Sequence, residues 1–211
     1  RPPVGPPTPV APAEAGVAVT QNAQPRPAQW PGTPVVSTVA NPANAALDNL
    51  SFNHDKGATS LGQTFRVPTA CQLTRISLFG GDGLGTAPAQ PVTLALYDLG
   101  PTEAAAASPS TYAPSPNLLG AGKGLKINYT PQAAGLLNFD FTGPNQVPLL
   151  AGHTYAFELQ GVEKSAPLFW RVSRQEAYAD GSAYLNRAPA MLNDKRGYDF
   201  ALAVYGRAGG N

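Results

Sequence analysis

The chain has 211 residues, with 22 glycines, 23 prolines and only 13% charged residues. Glycine and proline together stay short of the roughly 25–30% that marks low-complexity chains, so a folded, turn-rich body is expected. A net charge of +1 gives no argument for the basic surface that nucleic acid demands, so no nucleic-acid partner is expected, and no apolar run approaches the roughly 20 residues of a membrane-spanning helix.

Residues 1–34 hold ten of the prolines and three charges. Proline has no N–H to give a central strand, so Arg1 to Pro12 is expected to be polyproline-like, with Gly16 to Thr20 as a short edge strand. Fully extended at about 3.3–3.6 Å per residue, this stretch spans roughly 110–120 Å, more than the diameter of a domain this size. The expected division is a Pro-rich extended arm over residues 1–46 and a β-sandwich domain over 47–211. Val17, Val19, Val35 and Val36 are the arm's apolar contacts, suited to strand addition on an exposed sheet edge, its own or a neighbour's.

From Leu47 the texture changes to short alternating segments punctuated by Gly, Pro, Asn and Asp, the pattern of an antiparallel sandwich or barrel. Strands are predicted at 62–67, 72–79, 91–98, 124–129, 136–141, 154–160, 168–173 and 198–205. Period-2 alternation puts Val92, Leu94 and Leu96 on one face, and likewise Leu137, Phe139 and Phe141, then Tyr155, Phe157 and Leu159, then Phe200, Leu202 and Val204. These four sets are the predicted core. Turns are expected at Gly80 to Gly83, Thr142 to Asn145 and Ala151 to His153, and a long surface excursion over 100–117. Asp140 and Glu158 alternate with core residues, so both are expected on the outside as solvated carboxylates.

The segments Gly62-Gln63-Thr64-Phe65, Ile76-Ser77-Leu78-Phe79-Gly80-Gly81, Val92 to Asp98, Leu149 to Phe157, Phe169-Trp170-Arg171 and Tyr184 together resemble the jelly-roll domains of secreted bacterial proteins. Those domains often serve as non-catalytic, carbohydrate-binding-module-like units of surface or multimodular chains. The resemblance covers about residues 47–206 and leaves the arm outside it. It implies an all-β, antiparallel β-sandwich (jelly roll) of about eight strands.

The richest polar and aromatic cluster lies between Trp170 and Asp199. Trp170, Arg171, Arg174, Tyr178, Asp180, Tyr184, Asn186, Tyr198 and Asp199 are the glycan-binding candidates, with Glu176 and Arg187 in the same stretch. Aromatic faces cover the C–H face of a pyranose, while Arg, Asp and Asn offer paired hydrogen bonds to neighbouring hydroxyls. Trp170 also alternates with Leu168 and Val172, which equally suits a core position.

No cofactor is expected. Asn53 to Gly57 and Gly81-Asp82-Gly83 offer oxygen donors for Ca²⁺, but each has too few carboxylates and reads better as turn chemistry. Cys71, the only cysteine, rules out an internal disulfide and is expected to be a small buried apolar residue. The two histidines, His54 and His153, read as ordinary polar positions. No nucleophile, acid–base or nucleotide motif is present, so an enzyme is not expected. Asn49-Leu50-Ser51 and Asn128-Tyr129-Thr130 match the N-glycosylation sequon.

The chain starts without Met, carries little Lys and is rich in Thr, Ser, Asn, Gly and Pro, which predicts an exported protein, extracellular or at the cell surface. The expected role is a non-catalytic structural subunit that self-assembles into a fibre or layer through its arm, with copies of itself as partners. The alternative is a carbohydrate-binding module that tethers an enzyme or cell to a polysaccharide.

Overall fold

The computed structural model describes residues 9–10, 16–21, 29–40, 47–48, 59–80, 90–101, 111–113, 115–129, 135–161, 170–173, 178–190 and 198–209. Within them the protein is all-β, with every strand pairing antiparallel and no α-helix. The first sheet runs β1 (Pro9–Val10), β2 (Val17–Gln21), β9 (Gly135–Phe141), β6 (Cys71–Gly80), β16 (Leu202–Arg207) and β3 (Val36–Ser37), and β10 (Pro148–Leu149) also pairs with β6. The second runs β14 (Ala188–Pro189), β13 (Ala183–Leu185), β5 (Ser60–Arg66), β11 (Thr154–Gly161), β7 (Gln90–Gly100) and β8 (Leu125–Tyr129). A small third sheet joins β15 (Asp199–Phe200), β12 (Val172–Ser173) and β4 (Leu47–Asp48).

The alternation legible in the sequence sets the core. All twelve residues expected to face inward are buried, and they belong to one hydrophobic cluster fed by both large sheets. Phe139 of the first sheet meets Phe157 of the second with ring centroids 5.9 Å apart. Each such side chain, fully removed from water, contributes about 1.5–3 kcal/mol. Cys71 is buried, as expected.

Six of the predicted strands are found within a few residues of their expected bounds; of the one expected over 168–173 only Val172–Ser173 pairs as a strand, with Trp170 an isolated bridge to Gly80 and 168–169 outside the described residues. The strand expected over 198–205 breaks at Ala201, because β15 pairs with β12 whereas β16 pairs with β6 and β3. At this corner the Ala201 N–H donates to Arg171 O, and its carbonyl accepts from Trp170 Nε1 at 2.9 Å and from the Phe79 N–H.

Two stretches of the expected arm are built into the body. β2 adds to β9, with Val17 opposite Phe141, and Val17 is buried in the main core. β3 adds to β16 at the opposite edge of the same sheet, and Val36 is buried with Val35 packed beside it. Between them Trp30 lies on the outer face of that sheet, against Phe79, Leu136, Ala201 and Ala203, and its Nε1 donates to Val39 O at 2.7 Å. The described residues 16–21 and 29–40 thus strap the sheet at β9, over its outer face and at β16. The side chain of Val19 lies outside the described residues.

Candidate functional site

The outer face of the second sheet is where polar chemistry gathers. Strand register places Tyr184, Gly62, Glu158 and Ala95 in one row across β13, β5, β11 and β7. The next row along β11 holds Thr64, Ala156 and Tyr97, and the row on its other side Ser60, Gln160 and Thr93. Glu158 therefore stands in a trough, flanked by a glycine and an alanine. A Cβ at Gly62 would come within 3.0 Å of the Tyr112 hydroxyl, so the glycine makes room for that ring.

Glu158 corrects an expectation. It does point away from the core, but its side chain is only 1% exposed. Tyr112, from the surface excursion, donates its hydroxyl to Glu158 Oε1, and its ring meets Tyr184 edge-on at 4.9 Å. Arg187 Nε donates to Oε1 at 2.9 Å, and Gln160 Nε2 donates to Oε2 at 2.8 Å. The Arg187 guanidinium also sits 5.6 Å from the centre of the Tyr97 ring. Burial, reinforced by the Glu158 charge, holds the Tyr112 phenol far above its ordinary pKa. Burial alone would lower the Arg187 pKa, but the hydrogen bond and charge of Glu158 outweigh it and raise it.

Arg187 reaches Glu158 from an unusual backbone. Leu185 pairs with Ala188 across a two-residue turn whose central residues, Asn186 and Arg187, have φ of 49° and 63°. Such turns suit Asn at the first position and Gly at the second. Arg in the glycine position carries left-handed strain in exchange for the ion pair with Glu158. Asn186 Oδ1 accepts from the backbone N–H groups of Thr59 and Ser60, tying the hairpin to β5.

Beside this cluster opens a cleft of about 500 Å³ lined by Thr59, Ser60, Thr93, Gln160, Asn186 and Arg187. Its wall is hydroxyl, amide and guanidinium, donors and acceptors without an aromatic floor. A second cleft of about 460 Å³ is lined by Val35, Val36 and Ser37 of the β3 region, by Arg66 and Val67 at the end of β5, and by Tyr178 and Asp180.

The glycan candidates do not meet in one place. Trp170 is a core residue with no exposed face, stacked on Phe200 at 4.4 Å and edge-on to Phe157. Asp199 is also buried, accepting from Gln63 Nε2 at 3.0 Å and from the Tyr178 N–H at 3.2 Å. Arg171 lays its guanidinium 5.7 Å from the Phe79 ring centre, and Tyr198 is half-buried, bonded through its backbone to Ala183 and Ala190. Tyr178 and Asp180 line the second cleft, and the Tyr178 hydroxyl accepts the Arg66 N–H. Of the nine, Tyr184 and Asn186 border the Glu158 cluster. Arg174 lies outside the described residues, as do Glu176 and both Ca²⁺-type loops.

Asp140 is on the outer face as expected, but paired with Arg75 at 2.6 Å across β9 and β6. His153 Nδ1 lies 3.0 Å from both Asp98 oxygens. Among the described residues no group of three or more His, Cys, Asp or Glu is placed to hold a metal ion, and no helix is long and apolar enough to cross a membrane.

No protein-family model and no curated protein matches this chain. Any functional reading therefore rests on the site itself. Sequence reading passed over Tyr97, Tyr112 and Gln160, because Tyr112 meets Glu158 across 46 residues and Tyr97 meets Gln160 across 63. One local signal was available: an Asn-Arg pair where a two-residue hairpin turn favours Asn-Gly.

Proposed function

We propose that this chain is a non-catalytic carbohydrate-binding module of jelly-roll type that holds a neutral polysaccharide outside the cell, in the cleft beside Glu158. The jelly-roll reading is supported by strand order. β3-β16-β6-β9 in one sheet and β5-β11-β7-β8 in the other follow when successive hairpins roll up into two facing Greek-key sheets. Fold by itself names no ligand, so the weight falls on the site.

The observation that carries the reading is a buried carboxylate on an outward sheet face, beside an open polar cleft. Sugar hydroxyls donate and accept at once, and the cleft offers both kinds of group through Ser60, Thr93, Gln160, Asn186 and Arg187. The Arg187 charge is matched by Glu158, so the cleft favours an uncharged polyol over an acidic one. Assembly through the arm, the role first expected, would require β2 to leave its own edge for a neighbour's, and the burial of Val17 weighs against that exchange.

The test is electrophoresis of the full chain through gels containing neutral polysaccharides. Retardation is expected on at least one, and Thr93→Ala with Gln160→Ala should abolish it while the variant keeps a cooperative melt, lowered because Gln160 also bonds the buried Glu158. Free migration of the unaltered chain through every gel would overturn the reading.

A further inference from the structure

We infer that the trough beneath Tyr112 is a covered subsite for one pyranose ring of the same glycan, and that Tyr112 occupies it as an internal stand-in. The inference rests on the carbohydrate reading and deepens it. Gly62 and Ala95 flank Glu158 in its row, and Ala156 follows it on the same face, so the sheet has left a ring-sized space over a carboxylate. What fills that space is a flat six-membered ring with one hydroxyl, bonded to Glu158 and bounded by Tyr184. A sugar ring offers the same outline with more hydroxyls. Glu158, Gln160 and Arg187 already converge on the point where those hydroxyls would lie.

Two observations argue that the space serves recognition rather than stability. A buried carboxylate paired with Arg repays its desolvation poorly, and an apolar side chain would fill the face at less cost. The covering segment also carries a defect: three residues past Tyr112, Ser115 Oγ is buried without a hydrogen-bond partner among the described residues. An orphaned hydroxyl penalises the closed state and is relieved on opening. The segment has a fixed end to swing from, because Asn117 Oδ1 accepts from the Leu96 and Leu119 N–H groups.

A ligand that must first displace a plug binds more weakly by the fraction of molecules already open. If about a tenth are open, removing the plug tightens binding about tenfold. The experiment measures binding of neutral hexasaccharides of glucose, mannose and xylose to the full chain and its variants. Tyr112→Ala should bind about tenfold tighter than the parent, and Tyr112→Phe, which keeps the ring but loses the bond to Glu158, should fall between. Because the alanine variant risks misfolding, the unaltered chain supplies a second readout. Nitration of Tyr112, followed by mass spectrometry, should rise when the hexasaccharide is bound. Equal or weaker binding by both variants, or protection of Tyr112 by the sugar, would overturn the inference while leaving the open cleft as the site. No binding by the parent or either variant would overturn both.

Discussion

At Arg187 two local effects oppose each other. A non-glycine residue in the left-handed region costs roughly 1–2 kcal/mol, while removing one partner of a buried ion pair costs about 3–5 kcal/mol. Arg187 is one-third exposed, so solvent takes up part of that loss. Arg187→Gly should therefore destabilise the protein by about 1–3 kcal/mol. Combined with Glu158→Gln, which removes the stranded charge, the strain relief should emerge and most of the stability return. Chemical denaturation of the two single variants and the double reads the cycle, and strictly additive losses would show that the pair is uncoupled. A second residue-scale effect is alkaline. Burial pushes the Tyr178 phenol up from its ordinary 10 to about 12, and Tyr155, Tyr184 and Tyr205 move the same way for the same reason. Between pH 10 and 12 the unfolded chain has released a proton that native Tyr178 still holds, so stability falls as pH rises. The contribution is complete below pH 10. Melting temperature should decline from pH 10 upward, and a flat profile from pH 9 to 11 would contradict the buried placement.

Among the elements, the strap from β2 to β3 behaves least like the arm read from its prolines. Trp30 and Val17 are 6% and 2% exposed, so Trp30→Ala should cost about 3–5 kcal/mol, as for other buried aromatics. Deleting residues 1–34 should remove the cooperative melt, and a truncated chain melting like the parent would show the strap to be dispensable. Docking is tight at Gly16: its φ of 105° and the Asn145 amide beside its missing Cβ leave no room for a side chain there. The long strands β5, β6, β7, β9 and β11 were legible because Val92, Leu94 and Leu96 or Tyr155, Phe157 and Leu159 recur at every second position, a signal that needs no partner strand to be read, whereas the short β10, β13 and β14 were not. β2 is legible only as a short edge strand and β3 only as apolar contacts for a sheet edge, its own or a neighbour's, because five residues and two among prolines show too little period to say which edge receives them. Glu158 was read as solvated because alternation tells inside from outside but is silent on what covers the outside. That cover, Tyr112, is held in place by a register settled only in three dimensions.

For the whole molecule, the sheet borders decide whether copies join. The first sheet ends in β1 and β3, two residues each, and the second in β14 on one side. Pro9 and Pro189 sit in two of these border strands, where a missing N–H denies a neighbour its hydrogen bond. The full chain should sediment as a monomer, and a fibre or layer that dissolves when the arm is removed would restore assembly as its role. The strap has a further consequence for biosynthesis. Its β3 end has no partner until β16, more than 160 residues later, has left the ribosome, and β16 also lies against β6 inside the first sheet. Folding cannot finish progressively from the N-terminus. The β3 segment must wait in solution without its partner while β1 and β2 pair earlier, and the prolines just before it, Pro31 and Pro34, are what keep it from seizing a wrong strand during that wait.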